Sequence, residues 1–527
     1  MPRLLPIFAL LIAAAALRFH DLPSRVMHTD EAIHGVTVGR LLAGEAFKYD
    51  PKDYHGPTLH YSTLPVAWAR GQHRFQDLDE TTLRGVTAGY GVLLVLMTFL
   101  FRKELGEAGA AFGAVLVAVS PMMVFFSRYY IMELPFAVFL TLLGFACWRF
   151  TTETEPRRRR VWWILAGVSA GLLHATKETF VLHVAAMALA AAIAGGRASI
   201  TAIPGFLQRH WKAILASCVL GFVLSAALLS HGFRRPEAIW DGIRTYLLYL
   251  NRAEGTDAGH NQPWNYYFAV LFFLKPSGGF WYSEIGVLIL GLAGAVRAWW
   301  PGGGDAKRFP RALAAYTIAT MVIYSVIPYK TPWSFLATMH GLMLLSGYAL
   351  AGCLPDRKAG KPPAAKLALM AAACLAFAAT IAHALLYDRR MITEAPADPE
   401  QPMVYGHTSQ EILELARQIS QLESSEGRTL TLAIGEEENG WPLPWYRRKA
   451  LGSNSYGRSL PDLKEPPDIV AVSTDHFPDA AQALFATHLC KNYEIRPGVS
   501  LHVFFRRSLA GLQEPATPVM KSPDKGS

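Results

Sequence analysis

The chain has 527 residues, of which 52% are hydrophobic and 17% charged. A soluble domain carries roughly 25% charged residues, and here the apolar excess falls in long blocks. That excludes a string of soluble domains and predicts an integral membrane protein. The net charge of +9 comes from basic residues lying mainly between the apolar blocks, where they set orientation. No basic patch interleaved with glycine or aromatic residues supports a nucleic-acid partner. The five cysteines contain no CxxC pair, so neither a zinc knuckle nor a disulfide framework is supported.

In chain order, the expected spans are 4–20, 83–101, 108–127, 133–150, 161–177, 179–195, 212–230, 280–300, 312–328, 333–352 and 366–387, eleven in all. Most approach the roughly 20 residues that cross a hydrocarbon core. Stretches 161–177 and 179–195 are short and hold His174, Lys177, Glu178 and His183. Residues 263–275 are apolar but too short to cross, which predicts a re-entrant or interfacial segment. Arg3 before an apolar run also fits a signal peptide; the ten spans that follow favour an anchor. Basic clusters at 102–103, 157–160, 197–212, 297–311 and 357–366 follow alternate spans, so all five fall on one side. That side is cytoplasmic. The amino terminus is then inside. Loop 21–82 with interfacial helices, loop 231–279 and the tail are outside.

Residues 1–387 are expected to form the membrane domain, and 388–515 a small extracytoplasmic α/β domain. Thr408 with Glu411 reads as a capping box ahead of a helix over 409–423. The runs 429–435, 468–474 and 501–507 read as buried strands. Residues 516–527 are expected to be disordered.

Five motifs fall at the outer ends of the expected spans. HTDEAIHG (28–35) places Asp30 and Glu31 at the start of a helix over 31–43, with Thr29 or Asp30 as its cap. As a plain structural pair, Asp30 is a cap and Glu31 a solvated acid. YDPKDYHGPTLHY (49–61) turns at Gly56-Pro57 into a helix, and its His55 lines a site or anchors at the interface. SRYYIMELP (127–135) brings Arg128 and Glu133 to the ends of two spans, where charge must be paired or face a polar cavity. HATKETF (174–180) holds Lys177 and Glu178, and IPYKTPW (327–333) holds Lys330 between two prolines. A carboxylate takes the proton of an attacking hydroxyl, and cations neutralise a phosphate leaving group. Together they suit sugar transfer from a lipid phosphate. They suit a transporter less, because the charges lie at helix ends and not at the midplane.

An acidic pair just after the first span, a body of eleven spans and an outward tail resemble the GT-C superfamily of membrane glycosyltransferases. That superfamily includes the protein O-mannosyltransferases and the aminoarabinose transferases. DEAIHG, YDPKDYHGP, SRYYIMELP, TKET, PYKTPW and ENGWPLPWYRR (438–448) look most like the flippase activity-associated family. The resemblance covers nearly the whole chain. It implies a bacterial or archaeal cytoplasmic-membrane enzyme with a polyprenyl-phosphate sugar donor. The acceptor is a hydroxyl of a glycan, lipid or protein on the outer side. Carried over, Asp30 matches the superfamily's base and Glu31 its companion acid. Glu133 stands where related enzymes often carry Asp after an Arg.

Arg128, Lys330 and Lys177 are then expected to hold the donor phosphate, with Glu178 and His55 beside it, and direct displacement would invert the anomeric carbon. Trp441, Trp445 and Arg447 are expected in a loop folded over the site, stacking on sugar and holding phosphate; as a plain reading they anchor at the interface. The residues establish no cofactor with certainty. A divalent metal ion is the open alternative, since Glu31 and His34 share a helix face with His28 nearby. The rival function is a non-catalytic protein that binds lipid-linked sugars and assists their flipping or assembly.

Overall fold

Apolar blocks cannot leave backbone N–H and C=O groups unpaired in lipid, so they fold as helices. The computed structural model describes residues 4–51, 55–253, 260–272, 281–355, 363–398, 401–435, 440–456 and 466–512. The expected tail disorder at 516–527, Asp53, Tyr54, and Glu438 and Asn439 of the tail motif lie outside them. The chain divides into two units, one of residues 1–25 and 37–405 and one of 26–36 and 406–527.

The first unit is helical, and the protein is a multi-pass membrane protein. Among the described residues, eight helices are long and apolar enough to cross a membrane. They are Leu4–Ser24, Glu80–Leu105, Glu133–Thr152, Phe180–Arg197, Ile200–Leu229, Gly304–Val326, Pro332–Cys353 and Ala364–Glu394. A ninth arises if Glu107–Val119 and Pro121–Ser127, bent by 58°, form one span. Helices Pro156–His174 and Ile285–Trp299 occupy the two remaining expected places. The first opens on four arginines and the second has only 15 residues, so neither has the length and apolarity of a full span. Gly196, at φ 60°, ends one helix before Ile200, and so separates two expected spans. In the stretch expected to be re-entrant or interfacial, Phe268–Phe272 forms a single wide helical turn. Small residues bring backbones together: a Cβ at Gly347 would sit 2.1 Å from the Gly109 carbonyl, the kind of close approach that drives helix association in lipid.

The bent pair explains a buried charge that no motif marked. Pro121 has no N–H, so the Val117 carbonyl loses its helical partner. Arg18, fully buried in the first helix, donates from Nη2 to Val117 and from Nη1 to Ala118, each at 2.8 Å. On the other side of the break, Glu284 Oε1 accepts from the Met122 N–H at 3.2 Å and from Ser120 Oγ at 2.6 Å. The Met123 N–H donates to Ser120 Oγ at 3.3 Å. A cation therefore satisfies the orphan carbonyls, and an acid and a serine hydroxyl the orphan amides.

The second unit is an α/β domain built on a five-stranded sheet ordered β2-β1-β3-β5-β4. Its strands are β1 Leu432–Ile434, β2 Asn454–Tyr456, β3 Ile469–Ser473, β4 His488–Arg496 and β5 Val499–Arg506. Strands β2, β1 and β3 run parallel, and β5 pairs antiparallel with both β3 and β4. Ile412, Leu415, Ile419 and Leu422 of helix Glu411–Glu426 pack into the core with β1 and β3. Three strands lie where expected. The predicted capping box does not form. Thr408 Oγ1 donates instead to the Met27 carbonyl at 2.8 Å, and Ser409 Oγ accepts from the Glu411 N–H at 3.2 Å. Glu411 is thus the first helical residue, too early to reach back as the third.

Candidate active site

Residues 55–58 dock on turn 175–178 through backbone and side chains. The Gly56 N–H donates to the Thr176 carbonyl at 3.2 Å and the Thr58 N–H to the Ala175 carbonyl at 3.4 Å. Thr58 and Thr176 join their hydroxyls at 2.7 Å. A Cβ at Gly56 would lie 2.1 Å from the Ala175 carbonyl oxygen. Gly56→Ala is therefore expected to force the loop off its seat at a cost of about 1–3 kcal/mol. A lower thermal-inactivation temperature in detergent measures it, and an unshifted midpoint would show that the loop is not seated on Ala175.

This docking brings Tyr49 and His55 to Glu178, the residue next to Lys177. Glu178 accepts from the Tyr49 hydroxyl at 2.8 Å and meets His55 Nδ1 at 2.7 Å. Burial alone would push the Glu178 carboxyl up. The His55 charge and the hydrogen bonds from His55 and Tyr49 outweigh it and hold Glu178 at about 2. Lys177 Nζ forms an ion pair with Glu133 Oε1 at the start of helix Glu133–Thr152. Tyr49 stands at the head of the motif 49–61, and its role shows only in its bond to Glu178.

Arg128 and Lys330 are held by carbonyls. The Arg128 guanidinium donates to the carbonyls of Leu17, Arg18, His20 and Asp21 at the end of the first helix. Burial, and then the like charges of Arg25 and Arg84, pull Arg128 down to about 10, so it stays cationic at neutral pH. Arg25 Nη2 donates to the Arg128 carbonyl at 3.0 Å, and Arg84 Nη1 to Leu22 and Arg25 at 2.7 and 2.9 Å. These three arginines make a positive nest; two of them belong to no sequence motif. Lys330 Nζ donates to the carbonyls of Gln262 and Ile327, and is 1% exposed.

Helix Thr29–Leu42, whose residues up to Val36 belong to the second unit, begins two residues earlier than expected, at Thr29. His28 is its cap. The Asp30 N–H donates to His28 Nδ1 and the His28 N–H donates to Glu31 Oε2, both at 3.1 Å, a reciprocal pairing of the capping-box kind. Glu31 is fully buried in this role, not a solvated acid. Asp30 differs from it. Its side chain is 40% exposed and its Oδ2 lies 3.8 Å from His28 Nδ1. Among the described residues, no hydrogen bond reaches that carboxylate. The segment is fixed by Tyr446, whose hydroxyl accepts from the Met27 N–H at 2.8 Å, and by Arg496, which donates to Thr29 Oγ1 at 3.3 Å.

Two expectations are corrected. Among the described residues no group of three or more His, Cys, Asp or Glu side chains could hold a metal ion, so the set His28, Glu31 and His34 is not assembled. The capping role of Glu31 is the reason, since it turns the carboxylate back to its own helix start. The tail motif, expected to present its rings to a sugar, is buried. Trp445 has no exposed surface and Trp441 only 8%. Arg447 pairs with Glu423 at 2.7 Å and donates to the Leu430 carbonyl at 3.0 Å. Aromatic residues beside arginine suit a buried domain core as well as a ligand loop. Trp445→Ala is expected to cost about 3–5 kcal/mol. Limited proteolysis of the full chain over a temperature series reads this as earlier cleavage within 406–512; wild-type resistance would return Trp445 to the surface.

Residues 64–229 match the family model described as dolichyl-phosphate-mannose-protein mannosyltransferase. No curated protein matches the chain in sequence. Among solved structures, the chain is similar to ArnT from Cupriavidus metallidurans bound to undecaprenyl phosphate. The identity is 16% and the TM-score 0.62, over 96% of this chain and 99% of that one. It is also similar to the archaeal oligosaccharyltransferase AglB from Archaeoglobus fulgidus in complex with an inhibitory peptide and a dolichol-phosphate. There the identity is 13% and the TM-score 0.54, over 95% of this chain and 74% of that one. The chain shares the fold of these two membrane proteins over nearly its whole length.

Proposed function

We propose that the protein is an integral membrane glycosyltransferase. It moves a sugar from a polyprenyl-phosphate donor to an acceptor hydroxyl on the outer face of the cytoplasmic membrane, with Asp30 as base. The observation that carries this reading is the similarity, across 96% of the chain, to ArnT bound to undecaprenyl phosphate. The dolichol-phosphate complex of AglB supports the same donor class. The five basic clusters support an inside amino terminus and an outside sheet domain.

The acids divide the roles. Glu31 is bound as a cap, Glu133 is paired with Lys177, and Glu178 is bound by Tyr49 and His55. Asp30 keeps its lone pairs available. In the reaction the acceptor oxygen attacks the anomeric carbon while its proton passes to Asp30. The carbon–oxygen bond to phosphate breaks, and the electron pair leaves with the polyprenyl phosphate. One displacement inverts the anomeric centre. Arg128 and Lys330 are held by neutral carbonyls, so a phosphate is the stronger acceptor for both, and Lys177 adds its charge beside Glu133. Neutralising the leaving group and positioning the two substrates supply most of the rate.

The test is transfer of radiolabelled sugar from a set of polyprenyl-phosphate donors by the purified protein in lipid vesicles. Release of polyprenyl phosphate coupled to labelled product is expected. Donor binding with no turnover for any sugar or acceptor would leave the non-catalytic carrier reading in its place.

A further inference from the structure

The helix Glu237–Ala253 lies in the chain between two membrane helices. Its faces are unlike. Ala238, Gly242 and Thr245 are buried. Thr245 Oγ1 donates to the Pro51 carbonyl at 3.3 Å, and the Tyr246 and His174 rings lie 6.0 Å apart. The opposite face carries Trp240, Ile243 and Leu247, which are 62%, 45% and 67% exposed. Their spacing of three and four residues puts them on one stripe. Arg244, 61% exposed, stands within it, 3.8 Å from Asp241.

The chain says what covers this stripe. Helix Ile200–Leu229, long and apolar enough to cross a membrane, ends one short turn before it. That turn is tight. The Arg235 N–H returns to the Ser230 carbonyl at 3.0 Å, and His231 and Phe233 take left-handed φ values of 51° and 66°. The amphipathic helix therefore starts at the depth where the spanning helix stops, which is the membrane–water boundary. A stripe of Trp, Ile and Leu with an arginine among them is the composition of a helix lying in that boundary, rings and aliphatic chains down and guanidinium at the phosphates. Phe233, 54% exposed in the turn just before it, has the same preference.

We propose that helix Glu237–Ala253 lies in the membrane interface on Trp240, Ile243 and Leu247, and that the occupant of this face is the bilayer itself. Its inner face, fixed to Pro51 and His174, then sets the depth of the Tyr49–His55–Glu178 cluster at the lipid headgroups. This holds for a membrane-seated binder as for a transferase.

Spin labels test it in the full chain, with Cys147, Cys218, Cys353, Cys374 and Cys490 replaced by alanine. Single cysteines are placed at Trp240, Ile243, Leu247 and Glu237, and the protein is reconstituted in phosphatidylethanolamine–phosphatidylglycerol vesicles. Labels at 240, 243 and 247 are expected to collide several-fold more with dissolved oxygen than with a water-soluble nickel chelate, and the label at 237 the reverse. A water-like profile at all four positions would overturn the proposal. So would labels at 240, 243 and 247 shielded from both reagents, since protein would then cover the stripe.

Discussion

Asp30→Asn is expected to lower sugar transfer by about 10²–10⁴-fold, the range a positioned general base contributes, while leaving the protein as stable as the wild type. The substitution keeps the shape and one carbonyl-type oxygen. It removes only the ability to hold the acceptor's proton. Because no hydrogen bond reaches the Asp30 carboxylate among the described residues, and its side chain is 40% exposed, the fold draws little on its charge beyond the favourable place of an acid in a first helical turn. Glu31→Ala is the contrast. Its Oε2 accepts from the His28 N–H, so its loss frays the helix start by about 0.5–2 kcal/mol, visible as a lower melting temperature. Activity and stability measured on both variants separate base from cap. Full transfer by Asp30→Asn would remove the base assignment and leave the donor class standing.

The helical architecture was readable because apolar block length is a direct physical requirement of the bilayer. Even the short stretches 161–177 and 179–195 proved helical, and their polar residues explain themselves once partners are visible. His183 joins the hydroxyls of Tyr316 and Tyr324 at 2.7 and 2.9 Å, and His174 bonds Ser225. Such partners come from helices far along the chain, so hydropathy counts these residues as defects. The same distance hides Arg18, which reads as an anchor residue until the break at Ser120–Pro121 is seen beside it. In the sheet domain, β3 announces itself as IVAVS, whereas β4 reads HLCKNYEIR and alternates between core and solvent. An edge strand facing water on one side carries too few apolar residues to stand out. The tail motif misled for a related reason. Trp, Tyr and Arg are equally at home in an interfacial loop and in a buried corner, and only the Glu423 partner of Arg447 distinguishes the two.

Glu284→Ala is expected to destabilise the membrane unit by about 2–6 kcal/mol. Glu284 Oε1 serves two buried donors, the Ser120 hydroxyl and the Met122 N–H, and each donor left unsatisfied costs about 1–3 kcal/mol. In lipid no water replaces the lost acceptor. Glu284→Gln keeps an amide oxygen at the same reach, so it should recover most of the loss, which separates an acceptor role from a need for charge. Arg18→Ala attacks the other side of the same break by abandoning the Val117 and Ala118 carbonyls. The two substitutions should therefore add to less than their sum, since once the break has relaxed there is less left to lose. Unfolding midpoints of the four detergent-solubilised proteins (wild type, each single variant and the double) measure this coupling. Strict additivity would show that the acid and the arginine hold the two sides of the break independently, and a Glu284→Ala midpoint equal to the wild type would show that the bent helix holds its shape without the acid. In that case the buried Glu284 would need a role in chemistry to explain its place in the membrane.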